Sequence, residues 1–140
     1  MLRLSLPTKP YWINLSNGVK LQVRPLNTAI YEAAKVKGFR LAAQATQEHG
    51  NVTEAGGEVS GLPDLDDEDG RQGLSQFLFT VALAQSAVIA WKGVLPPKGK
   101  RALKISPEGL RALMSVNTMA EDFLIEYTRP HKEMISEGNG

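Results

Sequence analysis

The sequence predicts an α+β fold, mostly α, in which an N-terminal β-hairpin packs on a bundle of about four helices. Three observations carry this expectation. Apolar residues alternate on both sides of Asn17-Gly18, apolar residues recur at spacings of three and four from Leu74 to Trp91, and Ser106-Pro107-Glu108 spells a helix start. Period two suits a half-buried strand, and spacings of three and four suit one face of a helix.

The hairpin lies in Tyr11–Arg24, YWINLSNGVKLQVR. Asn and Gly both tolerate positive φ, so Asn17-Gly18 is a turn signal. A two-residue loop would pair Ser16 with Val19 and mix polar and apolar groups on each face. A three-residue loop, Ser16 to Gly18, pairs Leu15 with Val19 and sets Tyr11, Ile13 and Leu15 opposite Val23, Leu21 and Val19. Burial of one clean apolar face sets register, which favours the second pairing. A lone hairpin is marginal in water, so that face needs helices against it.

Pro25 ends the second strand, and Asn27 or Thr28 caps a helix reaching about Gln47. Its stripe of Ile30, Ala33, Ala34, Val36, Leu41 and Ala45 is weak, and Gly38 interrupts it. Residues 49–70 are rich in Gly and carry five acids between Asp64 and Asp69, so few apolar groups offset the ordering entropy; a long exposed loop is expected. Arg71–Lys92 reads as the strongest helix, stopped by Gly93. Ser106 caps the next helix, with Pro107 at its first position. Thr118 to Glu121 matches a capping box for a last helix that Pro130 ends, leaving residues 131–140 as a frayed tail.

The chain has 140 residues, enough for one domain spanning 1–140 with one core. Sixteen basic against fifteen acidic residues give a net charge of +1, which supplies no bulk attraction to nucleic acid or anionic lipid. The absence of cysteine excludes disulfides, thiolate zinc sites and a cysteine nucleophile. The N-terminus lacks the apolar core of a signal peptide, and Phe77–Trp91 is too short and too polar for a membrane span.

No enzyme motif emerges. His49 and His131 stand apart in expected surface positions, outside any metal-binding pattern. The acidic run from Asp64 fails the calcium-loop spacing, since the sixth position is Asp69 and the twelfth Ser75. No phosphate-loop glycine pattern occurs. The small basic cluster Lys98, Lys100, Arg101 and Lys104 has no interleaved aromatics. The expectation is a non-enzyme without cofactor or metal that works by binding other proteins. Its candidate binding or self-association residues are Phe77, Val81, Trp91, Leu110, Met114, Phe123 and Tyr127, for most of which core is the more ordinary reading.

The order of segments resembles a known family. The hairpin carries NGVKLQVRPL, Asn17 to Leu26, and an alanine-rich helix follows. The central apolar segment ends in Trp91-Lys92-Gly93-Val94. After a variable link comes Ser106-Pro107-Glu108 leading to Leu113-Met114, and then Phe123, Tyr127 and Pro130. This looks like the tail assembly chaperones of long-tailed phages and phage-derived gene transfer agents. The resemblance implies a protein of the host cytoplasm, absent from the mature virion. It would bind the tape measure protein and keep it soluble while tail tube subunits polymerise around it. In several relatives a frameshifted C-terminal extension contacts the tube subunit, which makes the major tail tube protein a second expected partner. Self-association would add avidity along a long client. The competing expectation is a structural minor tail or connector protein that stays in the virion.

Overall fold

The hairpin forms in the expected register. In the computed structural model, which describes residues 1–54 and 62–139, strand β1 (Tyr11–Asn14) pairs antiparallel with β2 (Lys20–Val23). Tyr11 lies opposite Val23 and Ile13 opposite Leu21. A single 3-10 turn over Ser16–Gly18 joins them, with Asn17 at φ 59° and Gly18 at φ 74°. The Leu15 N–H donates to the Val19 carbonyl at 2.8 Å and closes the loop. Ile13, Leu15, Val19, Leu21 and Val23 are all buried on the inner face.

A third strand, β3 (Val88–Lys92), extends the sheet in the order β1-β2-β3, antiparallel throughout. These residues were expected to continue a helix as far as Lys92. The helix instead ends at Ala87, and the chain turns directly into the strand. The register slips at Gln22/Val23, so Val88 pairs with Val23 and Trp91 with Leu21 while Ile89 is left over. That bulge places Val88 and Trp91, three residues apart, on the same inner face. A spacing of three is also the helical signature, which is why the segment resembles its neighbour. What decides the outcome is the open edge of β2, which gains a ladder partner, together with the β-branched pair Val88-Ile89.

Four helices account for most of the chain: α1 (Thr28–Glu54), α2 (Glu68–Ala87), α3 (Pro107–Met114) and α4 (Asn117–Asn139). Asn27 caps α1, its Oδ1 accepting the Ile30 N–H at 2.9 Å. Ser106 caps α3 as expected, its Oγ accepting the Gly109 N–H at 2.9 Å.

Helix α1 outlasts its expected end and takes in residues 49–54 of the supposed loop. Residues 55–61 of that loop lie outside the described residues. The remainder is held by one apolar side chain. Leu65 is 1% exposed and clusters with Ala42, Leu74 and Leu78, and Arg71 Nη1 donates to its carbonyl at 3.0 Å. The acids that follow, Glu68 and Asp69, sit in the first turn of α2, where negative charge complements the helix dipole.

Helix α4 also departs from expectation. It starts at Asn117, so Thr118 is inside it, and the Glu121 carboxylate accepts from the Asn117 amide at 3.4 Å where a capping box was expected. It continues through Pro130, which lacks the N–H that the Glu126 carbonyl would otherwise receive. Tertiary contacts carry the helix past that gap. His131 Nε2 lies 3.0 Å from the Leu26 carbonyl oxygen, and Met134 is buried. Residues 131–139 are therefore helix where a frayed tail was expected, and His131 is tied to the backbone of the hairpin's exit where a solvated residue was expected.

Helices α1 and α2 touch backbone to backbone. A Cβ on Gly38 would lie 2.5 Å from the Phe79 nitrogen and 2.6 Å from its Cα. Ala34, Gly38 and Ala42, four residues apart, form the buried stripe of α1, while Val36 is 66% exposed. The stripe looks weak in the sequence because its members are small.

Gly38→Ala is expected to destabilise the fold by about 1–2 kcal/mol, because the backbone clash outweighs the roughly 1 kcal/mol helix gain. Gly73→Ala in α2, where a Cβ meets nothing within 4 Å, is the matched control and should stabilise by about 0.5–1 kcal/mol. Thermal unfolding of the two variants checks the opposite signs.

Candidate protein-binding groove

Most of the apolar residues singled out from the sequence are core. Val81, Leu110, Met114, Phe123 and Tyr127 are between 0% and 4% exposed and belong to one cluster with the inner face of the sheet. They are unavailable to a partner in this conformation, which corrects the expectation that they present a surface. Phe123 stacks on Tyr127 at 5.4 Å between centroids. Phe77 and Trp91 are half-buried. The Arg111 guanidinium lies 5.4 Å from the Phe77 ring centre. Trp91 donates its indole N–H to the Leu103 carbonyl at 2.8 Å, and its ring lies against Gly109.

The hairpin is fastened to α4 at three points. Asp122 Oδ2 accepts from the Ser16 backbone N–H at 2.9 Å and also from the Ser16 hydroxyl. These bonds hold the Asp122 carboxyl below its usual range. The Tyr127 hydroxyl donates to the Arg24 carbonyl at 2.9 Å, and His131 meets the Leu26 carbonyl. Burial, reinforced by Tyr11 and opposed by Arg24, pushes the Tyr127 hydroxyl from 10.0 up to about 12.

With α4 fixed to the hairpin and α1 fixed to α2, an open groove of about 700 Å3 remains between α1 and α4, floored by α2. Tyr31 and Phe39 line it from α1, Phe79 from α2, and Leu124 and Ile125 from α4. Phe39 is 73% exposed and Ile125 51%. Tyr31 meets Phe79 edge to face at 5.2 Å. Lys35 and Lys132 are the only charged side chains of the lining. A second cleft of about 430 Å3 shares Phe39, Gln72 and Ser75 with the first and continues to Ala42, Ala43 and Thr46. Together they follow α1 from Tyr31 to Thr46, a length of ~22 Å at 1.5 Å per residue.

The sequence reading missed this groove because Phe39 and Ile125 lie off the apolar stripes of their helices. An aromatic next to Gly38, on the side opposite a small-residue stripe, was the available signal. Among the described residues no group of His, Cys, Asp or Glu could hold a metal ion, and no helix is long and apolar enough to cross a membrane. The groove offers apolar contact area and two ammonium groups. That equips it to seat the apolar face of a helix, read as residues at i, i+3, i+4 and i+7. No family model, curated protein or solved structure matches the chain.

Since the folded pKa of Tyr127 is above its unfolded value, the neutral hydroxyl's contribution is intact below pH 10 and is lost as pH rises toward about 12. Over the accessible alkaline range the loss amounts to about 1–2 kcal/mol. Thermal unfolding from about pH 9 to 11.5 should show the wild type losing its advantage over Tyr127→Phe as pH rises, since the variant lacks the titrating group.

Proposed function

We propose that this chain is an assembly chaperone of a long-tailed phage tail. It binds the tape measure protein in the host cytoplasm, holds it soluble while tail tube subunits polymerise around it, and is absent from the mature virion. The groove between α1 and α4 is the observation that supports this reading best. Together with the adjoining cleft it is long enough for about four turns of a client helix, it is lined by exposed Phe39 and Ile125, and its charged lining is Lys35 and Lys132, joined by Glu68 and Arg71 in the adjoining cleft. A holdase needs adaptable apolar area and weak repeated contacts, not a buried constellation of acids and bases. Several copies along one client, associating with each other and with the tail tube protein, would supply the avidity.

Co-expression with the tape measure protein of the same gene cluster tests the proposal. The client should become soluble and co-purify with several copies of this chain. Phe39→Asp combined with Ile125→Asp should lose the client while keeping thermal stability within about 1 kcal/mol, because both side chains are exposed. A client that stays insoluble and unbound, with this protein found in purified particles, would replace the chaperone reading with that of a structural tail component.

A further inference from the structure

The net charge of +1 conceals a strong segregation. Residues 1–31 carry Arg3, Lys9, Lys20 and Arg24 and no acid. Residues 88–107 carry Lys92, Lys98, Lys100, Arg101 and Lys104, again with no acid. Nine of the sixteen basic residues therefore belong to the sheet and the segments entering and leaving it, and all fifteen acids belong to the rest of the chain. Asp122, the α4 acid bonded to the hairpin, is taken up by Ser16.

Among the described residues, no helix covers one face of the sheet. Its inner face is core. Its outer face shows one row of Trp12, Gln22 and Ala90 and a second row of Asn14, Lys20 and Lys92. Trp12 is 39% exposed, and the Lys92 ammonium lies 4.7 Å from its ring centre. Asn14, Lys20 and Lys92 are exposed.

We infer that this outer face binds single-stranded nucleic acid. The cations alone would suit any acidic partner, but the side chains between them narrow the choice. The part of the Trp12 indole that stays exposed beside Lys92 offers a stacking surface for a base, whatever its identity. The amides of Asn14 and Gln22 each present two donors and an acceptor, which match base edges. Lys20 and Lys92, paired across β2 and β3 in the row beside Trp12, supply the positive charge that phosphates flanking a stacked base require. The platform measures roughly 13 Å along the strands and 10 Å across them, room for two or three nucleotides. Single strands are favoured over duplex because bases must be splayed to stack on a sheet, and no helix or ribbon projects from this face to enter a duplex groove. The surface is separate from the α1–α4 groove and shares no residue with it.

The experiment uses the full chain with fluorescein-labelled oligothymidylate and oligouridylate of about twenty nucleotides, read by anisotropy at about 25 and 200 mM salt. Binding is expected at low salt and should weaken about tenfold or more at the higher salt. Trp12→Ala should weaken it a further five- to tenfold, Trp12→Phe should restore most of it, and Lys20→Glu with Lys92→Glu should remove it. Binding should quench tryptophan fluorescence in the wild type but not in Trp12→Phe, where only Trp91 remains. Phe39→Asp should bind like wild type, which separates this surface from the groove. Thermal unfolding verifies that the Trp12 variants fold. Absence of binding at low salt would overturn the inference. So would equal competition by poly-glutamate with no effect of Trp12→Ala, an outcome that assigns the face to acidic protein.

Discussion

The close approach of α1 and α2 at Gly38 is the constraint on which the rest of the molecule depends. Helices whose side chains interdigitate normally stand 8–10 Å apart. Here the Phe79 backbone occupies the space a Cβ on Gly38 would need, and Ala34 and Ala42 continue the small surface on either side. This closeness has two consequences. Phe79 is carried to the base of the α1–α4 groove, where its ring meets Tyr31. Of the larger side chains of α1, Ile30, Tyr31 and Leu41 pack at the margins of the core, while Val36 and Phe39 are left outside it. A glycine that costs helix propensity thereby determines both the packing of the pair and the apolar character of the exposed surface.

The groove exists because two tethers pull in different directions. Ser16–Asp122, Arg24–Tyr127 and Leu26–His131 hold α4 to the hairpin along most of its length. The Gly38 contact holds α1 to α2. Helix α4 therefore cannot close onto α1 without breaking these polar contacts, of which the two partly buried ones, at Tyr127 and His131, are each worth about 1 kcal/mol net and more if a buried partner is left unsatisfied. The Tyr127 hydroxyl is the most deeply placed of these groups, and burial raises its pKa for the same reason that it makes the bond to Arg24 costly to lose.

The elements that were legible in the sequence are those whose signals are local. Burial of one face was enough to choose the Ile13–Leu21 pairing, and Ser106-Pro107 marked a helix start by capping chemistry alone. The misread elements are those decided by partners distant in the chain. Val88–Lys92 carries a spacing that suits both a helix and a bulged strand, and only the unpaired edge of β2 resolves it. Leu65 looked like a stray apolar residue in an acidic run until Ala42, Leu74 and Leu78 closed around it. Pro130 is a valid local stop signal, overridden because His131 and Met134 dock beyond it. For the same reason Phe123 and Tyr127 could not be assigned to core or surface by periodicity, since both sides of α4 carry large apolar residues.

Charge explains how the two proposed binding surfaces can coexist on so small a chain. A uniform mixture of sixteen cations and fifteen acids would leave every face weakly attractive to most partners and selective for none. Segregation along the chain leaves the strands and their flanking segments without acids of their own, so the outer sheet face with Lys20 and Lys92 is the place that draws an anionic ligand. Among the helices, the groove is an exception with only Lys35 and Lys132 in its lining, and apolar area dominates there. Occupancy of the groove would be governed by burial and occupancy of the sheet face by counterion release, so salt strengthens or spares the first and weakens the second. The two surfaces are joined by α4, whose bonds to Ser16, Arg24 and Leu26 tie the groove wall to the hairpin, and by α2, which floors the groove and runs directly into β3. Coupling between them has two physical routes, from Ile125 through those three contacts and from Phe79 along α2 into β3.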